Sequence, residues 1–208
     1  MTRIILLRHG QSEANRDIWF AGHSDPHLTE KGLLQAEYAG EYLAEHERID
    51  LILSSDLLRA VETATPTAKR LGLPVIPEPG FREIFAGVWE GVPFADLDVQ
   101  YHQELFTWDN DLANACPNGG ESVAELFARV NATLDRVARE QDGKTVLIAT
   151  HWTPIRAMIC HAMGCDHTHI ADFEKPFNSS IHVLCYEAGS YTVERINIVD
   201  HLKDRLTY

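Results

Sequence analysis

The sequence predicts an α/β fold, a three-layer sandwich with a mostly parallel central sheet, helices on both faces and a small helical lid. Three observations carry that expectation. Apolar runs of strand length alternate with helical patterns along most of the chain. The first run, Ile4-Ile5-Leu6-Leu7, is continuous rather than alternating, as a strand buried on both faces should be. No repeat, low-complexity segment or Gly/Ser/Pro linker divides the 208 residues, so a single domain over 1–208 is the simplest reading.

After the strand at 4–7, a helix is expected behind Thr29, where Leu33, Ala36, Ala39 or Gly40, and Leu43 recur at three- and four-residue spacing. Leu51-Ile52-Leu53 reads as the next strand. It runs into Ser54-Ser55-Asp56, where Ser55 or Asp56 is expected to cap a helix carrying Leu57, Leu58, Val61, Thr65 and Ala68. Pro66 falls inside that pattern and is expected to kink or interrupt it. From Pro74 to Gly120 regularity is lost, which is long for a connection in a compact domain. A lid or small helical insertion at about 77–120 is therefore expected. Ser122-Val123-Ala124-Glu125 is a capping box opening a helix with Leu126, Phe127, Val130, Leu134 and Val137 on one face. A strand at 145–149, a helix from Thr153-Pro154 to Gly164, and a hairpin of strands near 181–186 and 191–198 complete the pattern.

Composition narrows the function. Eighteen Lys and Arg against 31 Asp and Glu leave a formal charge of −13, which argues against nucleic acid as a partner, since phosphate backbones need a basic stripe. The same charge gives no attraction to anionic lipid, and no apolar run approaches the roughly 20 residues of a membrane span. The opening Met1-Thr2-Arg3 and the short apolar run behind it do not read as a signal peptide. Cys116, Cys160, Cys165 and Cys185 are too few for a disulfide framework and are expected to be thiols. A cytoplasmic location is expected.

In an open α/β sheet, ligands sit beyond the carboxyl ends of the strands. Three stretches meet that condition: Arg8 to Asn15, Ser54 to Arg59, and Thr150 to Thr153. Two of them carry a histidine, His9 and His151, and the third carries Arg59. Arg8 and Arg59 around His9 make a phosphate clamp, because guanidinium binds phosphate oxygens with paired, charge-assisted hydrogen bonds. Adjacent positive charge keeps the imidazole neutral, and a neutral imidazole held at phosphorus can become a phosphohistidine. His151 can supply hydrogen bonds and charge to the equatorial oxygens as they grow more negative.

Leu7-Arg8-His9-Gly10-Gln11-Ser12-Glu13-Ala14-Asn15 resembles the signature of the histidine phosphatase superfamily, the phosphoglycerate-mutase-like fold. Further blocks resemble it in order: Asp25 to Gly32 with Gln35-Ala36, Ser54 to Ala64, Arg82-Glu83 with Gly87 and Trp89 to Gly91, Gly119 to Ser122, and Thr150-His151. The resemblance covers nearly the whole chain. It implies that His9 is the phosphorylated nucleophile and that Arg8, Arg59 and His151 form the phosphate pocket with Asn15 at its edge. It also implies that Glu83 is the general acid, then the base for water. An enclosing aromatic loop of Phe81, Phe85 and Trp89 would provide the desolvation such an acid needs. Glu13 and Glu90 read as solvated or structural carboxylates. Trp152 departs from the small residue many relatives carry there, and we expect it to turn into the core rather than narrow the substrate entrance.

Other readings fare worse. Gly10 to Ala14 imitates a nucleophile elbow, but Ala14 replaces the glycine such a turn requires, and an esterase leaves Arg8 and Arg59 unexplained. Ser12 is better read as a helix cap or loop contact. Cys160, His161, Cys165, His167 and His169 cluster soft ligands, yet Cys160 and His161 point apart on a helix, so no metal site and no cofactor is assigned. A non-catalytic binding protein of this fold would be expected to lack a catalytic residue, and Arg8, His9, Arg59, Glu83 and His151 are all present. The rival is a cofactor-dependent phosphoglycerate mutase, which must hold a second anionic group. From Glu83 to Glu121 there is no Lys or Arg, only eight carboxylates. A phosphatase is therefore expected, acting on a small phosphorylated molecule as a monomer or homodimer. If residues 83–121 form the substrate wall, their carboxylates and aromatics favour a neutral or cationic leaving group over phosphoglycerates or bisphosphates, unless a cation enters from another wall.

Overall fold

The computed structural model describes residues 1–208. Its six strands are β1 (Thr2–Arg8), β2 (Leu51–Ser54), β3 (Val75–Pro77), β4 (Thr145–Thr150), β5 (Ile181–Glu187) and β6 (Ser190–Ile198). They form one sheet in the order β3-β2-β4-β1-β5-β6. The first four are parallel, and the β5–β6 hairpin adds an antiparallel edge on β1. The hairpin turns at Ala188 and Gly189, with φ of +49° and +86°, the positive pair a two-residue primed turn requires.

Seven α-helices accompany the sheet: α1 (Glu13–Asp17), α2 (Glu30–His46), α3 (Leu58–Leu71), α4 (Phe94–Gln100), α5 (His102–Asn110), α6 (Val123–Glu140) and α7 (Trp152–Ala162). The two faces of the sheet read directly from the alternation in β1. Ile5 and Leu7 pack with Ala39, Leu43, Ala64 and Ala68 of α2 and α3. Ile4 and Leu6 pack with Leu126, Val130 and Leu134 of α6, Ile155 and Met158 of α7, and Leu97 and Trp108 of the insertion. Each of these large apolar side chains, fully removed from water, contributes about 1.5–3 kcal/mol before entropy is counted.

Several local expectations are corrected. The helix after β2 begins at Leu58, with neither Ser55 nor Asp56 as its cap. Instead the Asp25 carboxylate accepts from the Leu58 amide at 2.6 Å, a cap supplied from another loop. Pro66 does not interrupt α3, which runs on to Leu71. The ring sits against Gly40 of α2, where an added Cβ would lie 2.9 Å from Pro66 Cβ, so close helix packing offsets the lost backbone donor. A short parallel strand, β3, falls within the region where periodicity fails; three residues are too few for a pattern to show. The irregular region holds 3₁₀ turns at 79–81 and 87–89, then α4 and α5, and a third 3₁₀ turn at 112–114.

Candidate active site

Three strand ends meet at one edge of the sheet and place their loops around a cleft of about 510 Å³. The loop after β1 is pressed against the start of α2. A Cβ on Gly10 would sit 2.5 Å from Gly32 O, so only glycine permits this approach. Gly10 N donates to Thr63 Oγ1 (2.9 Å) of α3, His9 N donates to Thr150 O (3.0 Å), and Asn178 Nδ2 donates to His9 O (3.1 Å). The His9 backbone is thus held by three separate elements.

The imidazole state follows from its contacts. His9 Nδ1 lies 2.8 Å from Gly10 O, and a carbonyl can only accept, so Nδ1 carries the proton. Burial first, then the positive charges of Arg59 and Arg8, hold the ring well below the usual histidine range. His9 is therefore neutral, with the lone pair on Nε2. His151 lies beside it, ring centroids 5.2 Å apart, and is held down by the same causes. His151 Nε2 is 2.8 Å from Ser55 Oγ, which also accepts from Leu57 N at 3.3 Å. With that acceptance made, the Ser55 hydroxyl is free to donate to Nε2. In that tautomer the proton is on His151 Nδ1, a buried atom with no protein partner.

Arg8 and Arg59 are both almost completely buried. Burial lowers each to about 10, so both remain cationic at neutral pH. Their hydrogen bonds go to backbone carbonyls: Arg8 Nη1 donates to Pro176 O (2.5 Å), and Arg59 donates to Ser24 O and Gly22 O (2.9 Å each). The Nε atoms of both are buried and unpartnered. Two buried cations with no carboxylate bonded to either make an anion site. Asn15 stands at its edge, its Oδ1 accepting from Ser12 N and Ser12 Oγ at 3.0 Å each, which leaves Nδ2 available as a donor. Ser12 is the cap of α1, the role expected for it.

Glu83 lines the same cleft. Its Oε1 accepts from Ile84 N (2.9 Å) and its Oε2 from Thr153 N (3.3 Å), the second residue of α7. Arg82 braces the turn through a bidentate pair with Asp56, at 2.6 and 2.5 Å. The expected aromatic enclosure is corrected: Phe81 and Trp89 lie in the core, and Phe85 is exposed. Short turns with no periodicity gave no sign of which way those rings face. The aromatic side chains lining the cleft are instead Trp19, Phe20, Phe94, Trp108, Trp152 and Tyr208. Trp152 is likewise a correction, because it is half-buried and forms part of the cleft wall while its other edge touches the core. As the first residue of α7 it follows His151 directly, and its ring stacks on Trp108 at 6.5 Å.

The acidic wall expected from 83–121 does not form. Asp96, Asp98, Asp109 and Asp111 are exposed, Glu121 pairs with Arg129, and Glu83 is the carboxylate of that segment that lines the cleft. A cation enters from elsewhere, at Lys175 before β5. Glu90 is structural, accepting from His23 N and Ser24 Oγ. In the Cys160–His169 stretch, Cys160 Sγ contacts Asp166 O, His161 contacts Asp135, and His169 contacts Asp172. No group of three potential ligands gathers there.

Ser55 and Asn178 escaped sequence reading as site residues, although Ser55 falls in a strand-end loop that pointed to the cleft. Asn178 and Lys175 fall in an aperiodic stretch with no signal.

Comparison with known proteins gives a consistent result. The family described as histidine phosphatase superfamily (branch 1) matches residues 4–199. Phosphoserine phosphatase 1 of Hydrogenobacter thermophilus is 33% identical over 97% of this chain and 95% of its own. A Mycobacterium tuberculosis protein named a bifunctional protein is 37% identical over 97% of this chain, which spans 55% of that longer protein. Among solved structures, a mycobacterial glucosyl-3-phosphoglycerate phosphatase in complex with VO3 superposes with a TM-score of 0.87 at 28% identity. That match covers 94% of this chain and 98% of the other.

Proposed function

The chain belongs to the histidine phosphatase superfamily, and from that premise we propose how its residues hydrolyse a small phosphomonoester. The observation that carries the reading is the pair of buried guanidinium groups flanking a neutral histidine whose Nε2 lone pair is free. The phosphoryl group sits between Arg8 and Arg59, with Asn15 Nδ2 and His151 Nδ1 donating to its oxygens. His9 Nε2 attacks phosphorus as the ester P–O bond breaks. Glu83, as the carboxylic acid, gives its proton to the departing alkoxide. The Glu83 carboxylate then takes a proton from water, the resulting hydroxide attacks phosphorus, and the P–N bond breaks to release phosphate. Donors fixed before reaction stabilise the growing equatorial charge at no cost of reorganisation.

Relatives named for small phosphorylated substrates support the class of substrate. We read residues 77–120 as an insertion that covers the leaving-group side within a single catalytic domain. No helix is long and apolar enough to cross a membrane, and the four free thiols fit a cytoplasmic location. The reading is tested with 4-nitrophenyl phosphate in the presence and absence of a chelator. Turnover that persists with chelator supports it; loss of turnover on chelation, restored by a divalent metal, contradicts it.

A further inference from the structure

The leaving-group side of the cleft has a composition the phosphate chemistry does not explain. Glu83 must reach the ester oxygen, so whatever lies beside Glu83 meets the carbon skeleton of the leaving group. Glu83 Oε2 is held by Thr153 N, and Trp152 is the residue before it. Trp152 stacks on Trp108 at an interplanar angle of 28°, and Trp108 meets Phe20 edge-on at 5.1 Å. Phe20 in turn contacts Phe94 at 5.6 Å. These four rings form one continuous wall. The Arg156 guanidinium sits 4.6 Å over the Trp152 ring and donates to Ala171 O, which fixes the ring's orientation. Phe20 and Trp108 are buried. The wall is therefore in place before substrate arrives.

Resting on the phosphatase reading above, we propose that this wall selects phosphomonoesters whose leaving alcohol carries a flat ring. A three-carbon alcohol would leave much of the 510 Å³ cleft, with its aromatic-rich lining, filled with water. A ring adds buried apolar area and an offset or edge-on aromatic contact, and needs no rearrangement to do so. Lys175, at the rim, is the competing determinant, since its ammonium favours a leaving group with a carboxylate instead.

The experiment compares 2-phenylethyl phosphate with ethyl phosphate, both primary alkyl esters, so their difference reads the wall rather than leaving-group chemistry. O-phosphoserine and 3-phosphoglycerate complete the panel. The expected result is a kcat/KM about tenfold or more higher for 2-phenylethyl phosphate than for each of the other three, and a ratio that collapses in Trp152→Leu. A ratio near one with all four esters turned over, or a preference for the carboxylated esters, overturns the proposal and leaves the phosphatase reading standing. Absence of turnover with every ester overturns both. The wild-type ratio decides the matter even if the variant fails to fold.

Discussion

The two ends of the cleft are built differently. At the phosphate end, Arg8, His9 and His151 stand at or just beyond the ends of strands in a parallel sheet. Arg59 and Asn15 sit in the first turns of helices that follow strands; Arg8, His9, Asn15 and Arg59 are fixed by backbone partners and His151 by the Ser55 hydroxyl. At the leaving-group end, Glu83, Phe94 and Trp108 come from a region of short turns and short helices, and Lys175 from an irregular segment. The first end rests on elements that the core cannot move without loss; the second rests on side-chain packing among rings. Chemistry common to all phosphate esters is thereby kept on the rigid part, and discrimination among alcohols falls to the part that sequence change can alter cheaply.

Variants at the phosphate end are expected to have the larger effects and to act on every substrate alike. His9→Ala removes the nucleophile and should lower kcat by about 10⁵-fold, measured with 4-nitrophenyl phosphate and an alkyl ester. Arg59→Ala should cost about 10²–10³-fold in kcat/KM, and Arg59→Lys should recover little, because a single ammonium replaces neither the fork nor its two carbonyl contacts. At the other end the effect should depend on the alcohol. Glu83→Gln is expected to slow an alkyl ester by about 10²-fold and 4-nitrophenyl phosphate by much less, since a good leaving group needs no proton. Equal losses for the two esters would erase the distinction between the ends.

Much of this division was legible in the sequence, and the reason is physical. The run Ile4 to Leu7, the face of α2 at Ala36, Ala39 and Leu43, the face of α6 and the strand at 145–149 bury apolar residues with a regular period, so the strand ends and their loops followed; Leu33, expected on the same α2 face, is exposed. His9, Arg8, Arg59 and His151 come together because those ends lie side by side. The leaving-group end has no period to read. Phe81, Phe85, Trp89, Trp108 and Trp152 are all aromatic, and only packing decides that the first and third enter the core while the last two face the cleft. The Asp25 cap on α3 and the entry of Lys175 depend on contacts between segments far apart in the chain.

A smaller effect separates the ends through stability. His182 of β5 is buried behind Arg8, and burial holds it down to about 3. Nδ1 accepts from Asn197 N at 3.2 Å, so the ring is neutral with its proton toward Ser180 Oγ. A histidine depressed in the folded state binds its proton first in the unfolded state. Its contribution is whole above the unfolded value near 6.5 and falls as the pH drops toward 3. Between pH 7 and 5 this one group should cost about 2 kcal/mol, and His9 and His151 shift in the same direction. Urea unfolding across that range should show the loss, with a smaller slope in His182→Gln.

The most direct measurement is rapid quenching during turnover of a ³²P-labelled phosphomonoester, followed by mapping of protein-bound label. Transient label on His9, stable in alkali, lost in mild acid and absent from His9→Ala, is the expected result. Turnover at the wild-type rate with no labelled protein, or label that survives in His9→Ala, would contradict nucleophilic attack by His9.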